Sequence, residues 1–160
     1  MEETGLKELL IQKVENYFND NDWSHYEFDE QYSMFRAKIN LRCKLKKTEM
    51  FVYCRTGGML FRFTIGIGTD EENKLQVMEF VTRVNSGAVL GSFQMDIDEN
   101  NILYSIYIPC EENTSYSMIE RAINSGLFML EEYGDELLAV MFGMKSAKDA
   151  IETVESRARR

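Results

Sequence analysis

The stretch from Phe80 to Gly143, FVTRVNSGAVLGSFQMDIDENNILYSIYIPCEENTSYSMIERAINSGLFMLEEYGDELLAVMFG, decides how this chain folds. It opens on the end of an apolar helix. Phe93, Met95 and Ile97 then alternate with Gln94, Asp96 and Asp98, the period of a strand with one buried face. Asp98-Glu99-Asn100-Asn101 is turn chemistry. Ile102, Tyr104, Ile106 and Ile108 resume the alternation until Pro109 ends it. Two such runs joined by so short a turn pair antiparallel. Ser115 or Thr114 then caps a helix carrying Ile119, Ala122, Ile123, Leu127 and Leu130. Gly134 is placed to end that helix, and Asp135 to cap a short continuation over 136–142.

Working outward, Thr4 is placed to cap a first helix with Leu6, Leu9, Leu10, Val14, Tyr17 and Phe18 at helical spacing, stopped by Asn19-Asp20-Asn21-Asp22. Three alternating runs follow. The first buries Phe35, Ala37, Ile39, Leu41 and Cys43, the second Met50, Val52 and Cys54, the third Met59, Phe61, Phe63, Ile65 and Ile67. Gly57-Gly58 marks the hairpin between the last two, and Tyr26 to Tyr32 adds a short edge strand. Thr69 and Glu72 have capping-box spacing. The helix they open has Leu75, Val77, Met78, Phe80, Val81, Val84 and Ala88 on more than one stripe, so it contacts the rest of the molecule on two sides. Beyond Gly143, residues 146–159 form a weakly amphipathic helix. The order helix, three strands, helix, two strands, helix predicts a single α+β domain over 1–144, an antiparallel sheet with helices packed on it, and a C-terminal helical extension over 145–160.

Composition narrows the function. The 160 residues are 44% hydrophobic with one proline, enough for one core. A formal charge of −9 argues against nucleic acid and against an anionic membrane surface, both of which call for basic patches. The acidic start MEETGLKELL lacks the pattern of a signal peptide, and no apolar run approaches the ~18 residues of a membrane span. Cys43, Cys54 and Cys110 are an odd number without metal spacing, read as reduced thiols of a cytoplasmic protein.

Reactive chemistry is sparse. His25 is the single histidine and has no partner spaced for a metal site or a base–nucleophile pair. Asp96, Asp98 and Asn100 look like the start of a calcium loop, but Asn101 stands where glycine is needed and Tyr107 where a bidentate carboxylate is needed. Gly66-Ile67-Gly68-Thr69 lacks the lysine of a phosphate loop. Glu71-Glu72, Glu111-Glu112 and Glu131-Glu132 are sequence neighbours and do not share a helix face. No catalytic, cofactor-binding or metal-ligating residue is assigned, and no enzyme is expected.

One feature is left over. If Met50, Val52 and Cys54 face the core, Phe51 and Tyr53 face away from it. The same alternation turns Leu103 and Tyr107 outward. A sheet with one wet side should be polar there. These four side chains are therefore the expected binding surface for a partner chain or a second copy of the same chain, unless the chain's own terminal helix covers them.

The segments Phe80-Val81-Thr82-Arg83-Val84-Asn85, Gly91-Ser92-Phe93-Gln94-Met95-Asp96 and Ile102-Leu103-Tyr104, with the apolar run ending Tyr133-Gly134 to Gly143, resemble the YbjN-type bacterial domain, labelled a sensory-transduction regulator. The resemblance covers the second half of the chain well and the first half in order of elements. That domain is similar in fold to the class I type III secretion chaperones, small acidic homodimers that hold an extended stretch of another protein. The resemblance thus implies a homodimer, with Leu75, Met78 and Val81 as the expected interface, and a protein or peptide partner. The function expected is a non-enzymatic protein-binding module, chaperone-like or regulatory. A small-molecule sensor in bacterial signal transduction is the alternative, to be told apart by an enclosed pocket instead of an open apolar groove.

Overall fold

The computed structural model describes residues 3–160, with side chains from Gly5 onward. The elements are α1 (Glu3–Asp20), β1 (Tyr26–Asp29), β2 (Met34–Asn40), β3 (Lys47–Arg55), β4 (Gly58–Thr64), α2 (Lys74–Gly87), β5 (Ser92–Asp96), β6 (Asn101–Pro109), α3 (Tyr116–Met141) and α4 (Ala147–Ala158). The six strands form one antiparallel sheet in the order β1-β2-β3-β4-β6-β5. This is the expected α+β architecture. Thr4, the expected cap, falls inside α1, and its side chain lies outside the described residues.

The alternation places the core as read. Phe35, Ala37, Met50, Val52, Cys54, Met59, Phe61, Phe63, Phe93, Ile102, Tyr104, Ile106 and Ile108 are buried on one face. Leu10, Val14 and Phe18 of α1 and Ile119, Ile123 and Leu130 of α3 pack onto them. Three strands end sooner than the apolar pattern: β2 stops at Asn40, before Leu41 and Cys43, β4 at Thr64 and β5 at Asp96, which leaves Ile67 43% and Ile97 51% exposed. Helix α2 does touch the molecule on several sides, lying against β5, α3 and α4.

Three local readings are corrected. Gly134 does not end a helix; α3 runs unbroken from Tyr116 to Met141. Its glycines serve close approach. A Cβ on Gly126 would stand 2.1 Å from the Phe63 ring, and one on Gly134 would stand 2.8 Å from Leu45 Cδ1 and 3.0 Å from Cys43 Sγ. Asp135, expected as a cap, instead accepts the Lys44 N–H at 2.7 Å, and Glu131 accepts the Arg42 N–H at 3.2 Å, so the middle of α3 clamps the β2–β3 connection. Finally, Thr69 forms no capping box: a short 3-10 turn over Glu71–Asn73 leads into α2. The Thr69 N–H instead bonds the Asn100 carbonyl at 3.0 Å, tying this strand exit to the β5–β6 turn.

Helix α4 completes the helical layer. Ser146 caps it by accepting the Asp149 N–H at 3.1 Å, and the Ala147 N–H donates to Gln76 Oε1 of α2 at 2.8 Å. The Glu136 carboxylate of α3, its side chain 5% exposed, takes Lys145 Nζ and Arg157 at 2.8 Å each. Burying a carboxylate is costly unless cations neutralise it, so the two bonds hold α4 in place. Helices α1 and α3 lie against the inner face of the sheet, α2 beside its β5 edge, and α4 against α2 and α3.

Candidate functional site

Among the described residues no helix lies on the opposite face of the sheet. Strand register arranges its outward side chains in rows. Met34, Tyr53, Leu60 and Tyr107 form one row across β2, β3, β4 and β6. Arg36, Phe51, Arg62, Ser105 and Ser92 form the next, and Lys38, Glu49, Thr64, Leu103 and Gln94 a third. Phe51, Tyr53, Leu60 and Leu103 are half-buried, while Tyr107 is 50% exposed.

All four residues singled out from the sequence thus lie on this one face. They form two pairs, with β4 between them and roughly 10 Å across at the usual strand spacing. Leu60 and Arg62 fill the interval. The sequence reading missed both, together with Met34, Arg36 and Arg55. Leu60 and Arg62 could have been found as the residues alternating with Phe61 and Phe63.

The face has its own electrostatics. Phe51 and Tyr53 stack with ring centroids 6.4 Å apart. Arg36 lies against the Phe51 ring at 5.9 Å, and Arg55 and Arg62 against the Tyr53 ring at 5.6 and 5.8 Å, within cation–π range. Arg36 also bonds Glu49 through two nitrogens at 2.9 Å each, and those bonds hold the Glu49 carboxyl below its ordinary value. Among the described residues Arg62 Nε has no hydrogen-bond partner, although it is buried. Gly58 admits the Tyr107 ring: a Cβ there would meet its hydroxyl at 2.9 Å and the Ile108 carbonyl at 2.2 Å.

The expected interface residues on α2 separate. Leu75 is 77% exposed and Met78 half-buried, whereas Val81, 7% exposed, packs in the chain's own core. Asn73 Nδ2 donates to the Met141 carbonyl at 3.1 Å. That bond brings the start of α2 to the corner where Phe142 (54%) and Met144 (77%) are exposed, two residues the sequence reading passed over.

A second concavity lies on the helical side. It measures about 690 Å³ and is walled by Ala88, Val89 and Leu90 of the α2–β5 connection and by Phe128, Met129 and Tyr133 of α3, with Tyr104 at its floor and Arg121 and Glu132 among its polar groups. It is an open groove; Val89 and Phe128 stand 96% and 61% exposed beside it. Elsewhere the reactive inventory is occupied structurally. Asp96 Oδ1 accepts the N–H groups of Asp98 and Glu99 at 3.0 and 3.1 Å, closing its turn. The three cysteines are free; burial pushes the Cys54 thiol up to about 12 and raises those of Cys110 and Cys43. His25 is exposed in the connection before β1. Among the described residues, no three His, Cys, Asp or Glu side chains gather as a metal site, and no helix is long and apolar enough to cross a membrane.

Comparison with known proteins agrees with the fold. The sequence profile of the YbjN family, described as "Putative bacterial sensory transduction regulator", matches residues 11–139. Among solved structures the chain is similar to "YbjN, a putative transcription regulator from E. coli", with a TM-score of 0.56 and 6% identity, covering 76% of this chain and 85% of that one. No curated protein sequence matches.

Proposed function

The chain belongs to the YbjN family, and from that premise we propose that it is a non-enzymatic regulatory module that holds a segment of a partner protein on the open face of its sheet. The family's description supports a regulatory role. The observation that carries the reading is the two-sidedness of the sheet. One face is covered by the chain's own helices, while the other displays Phe51, Tyr53, Leu60, Leu103 and Tyr107 with no helix over them among the described residues. Half-buried aromatics among arginines are the residue types that dominate protein-recognition hot spots. A bound segment would lay apolar side chains over Leu60, between the Phe51–Tyr53 and Leu103–Tyr107 pairs. Replacing Phe51 and Tyr53 together by serine tests this. Partner capture should be lost while the thermal melt stays cooperative; unchanged capture by a folded variant removes this face from the reading.

The module is further proposed to act as a homodimer through Leu75 and Met78 of α2, beside exposed Phe142 and Met144. Light scattering across a concentration series tests it: a monomer at high concentration overturns it. The groove of about 690 Å³ supports the second reading, a small-molecule sensor, since its volume and apolar walls suit a ligand. In that reading Phe128→Ala abolishes the response and the serine pair leaves it intact.

A further inference from the structure

We infer that the segment held on the open sheet face is acidic: an extended stretch of a partner protein in which carboxylates alternate with apolar side chains. This rests on the reading of that face as the binding surface and adds the chemistry of what binds.

The chain carries a net charge of −9, yet positive charge is concentrated on this face. Arg36, Lys38, Lys47, Arg55 and Arg62 point outward from β2, β3 and β4, against Glu49 alone from the same strands. Glu49 is engaged by Arg36. Among the described residues Arg55 and Arg62 make no ion pair, and Arg62 Nε is buried with no acceptor. A buried guanidinium nitrogen without an acceptor is costly, and a ligand carboxylate that draws the Arg62 head outward relieves that cost with a charge-assisted bond. The Tyr53 ring beside both guanidinium groups supplies the apolar floor for the neighbouring side chain.

The extent of this field selects the ligand. It is three strands wide, roughly 10–15 Å at 4.7–4.9 Å per strand. Carboxylates bound it on both sides, Glu27 and Asp29 on β1 and Asp96 on β5. A nucleic-acid backbone needs a longer basic track and would meet those carboxylates. A second copy docked face to face would set arginine against arginine. A short peptide with two or three carboxylates meets neither obstacle.

The test is selection of displayed random ten-residue peptides on the full chain, read as the composition of what is retained. Asp and Glu interspersed with aromatic or aliphatic residues should be enriched. Retention should fall at least tenfold on Arg55→Gln/Arg62→Gln, and Arg55→Glu/Arg62→Glu should turn the enrichment toward Lys and Arg. Circular dichroism and thermal melts confirm that each variant is folded, and Arg55→Gln alone, at an exposed position, gives a second reading. Apolar peptides without acidic enrichment, lost on Phe51→Ser/Tyr53→Ser, overturn the acidic assignment and leave the docking face standing. Peptides retained equally by every variant overturn both. Displacement of acidic peptides by micromolar polythymidine twenty-mers, with direct binding of that DNA, overturns the peptide assignment in favour of a nucleic acid.

Discussion

Gly126→Ala sets two effects of opposite sign against each other. In a helix interior the substitution gains about 1 kcal/mol of helix propensity. Here the added methyl would stand 2.1, 2.4 and 2.6 Å from three atoms of the Phe63 ring, about 1.5 Å short of ordinary carbon contact. Phe63 is fully buried, so its ring has no solvent to swing into. Overpacking of this kind costs about 1–3 kcal/mol and occasionally more. With the contact this short, the upper end applies, and the net loss is about 2 kcal/mol. For a chain of this size the melting temperature falls by roughly 4–8 °C. Gly87→Ala is the control: its methyl would meet nothing within 4 Å, so stability should hold or rise. In a Phe63→Leu background the cost of Gly126→Ala should shrink, and urea denaturation of the four proteins measures that coupling. A Gly126→Ala protein as stable as its parent would mean that α3 does not lie against the inner side of β4. The assignment of the opposite face as the open one would then lose its basis.

Glu136→Gln leaves Lys145 and Arg157 without their shared carboxylate. Both cations keep access to water, so no charge is left buried and the loss should be about 1.5–3 kcal/mol, that of hydrogen bonds to a charged group, read by urea denaturation and by faster hydrogen exchange in α4. The Glu49 carboxyl is held low by its hydrogen bonds to Arg36. Its contribution to stability is therefore present above the ordinary carboxylate value of 4.5 and lost as pH falls through the lowered folded value. Glu49→Gln should flatten the acid limb of a stability–pH curve there; an unaltered limb contradicts the pairing. Thiol labelling of the native protein at pH 8 should reach half-buried Cys43 first and Cys54 only on unfolding, because burial pushes the Cys54 thiol up to about 12. Peptide mapping of the labelled sites decides it.

Much of this molecule is legible in the chain because a strand has a period of two. Alternation at Met50, Val52 and Cys54 and at Ile102, Tyr104, Ile106 and Ile108 places the core, and the residues between them are then outward by necessity. What alternation cannot supply is strand order. That β4 lies between β3 and β6, bringing Leu60 and Arg62 between the Phe51–Tyr53 and Leu103–Tyr107 pairs, is a tertiary fact. Glycine was misread for a related reason. Gly134 inside an apolar run looks like a helix stop, and only the Leu45 and Cys43 side chains pressed against it explain why α3 continues. Val81 shows the same limit: helical spacing marks it apolar without saying which neighbour it meets. The arginine cluster escaped notice because its members come from three strands and a net charge of −9 conceals it.

The most direct test places a photo-crosslinking phenylalanine analogue at Tyr53 on the sheet face, and separately at Phe128 in the groove, in the cell that makes the protein. Covalent adducts with another polypeptide should form from position 53 and carry an acidic segment at the linkage site. Adducts confined to position 128, with none from position 53 in a protein that folds normally, would contradict the assignment of the open sheet face as the working surface.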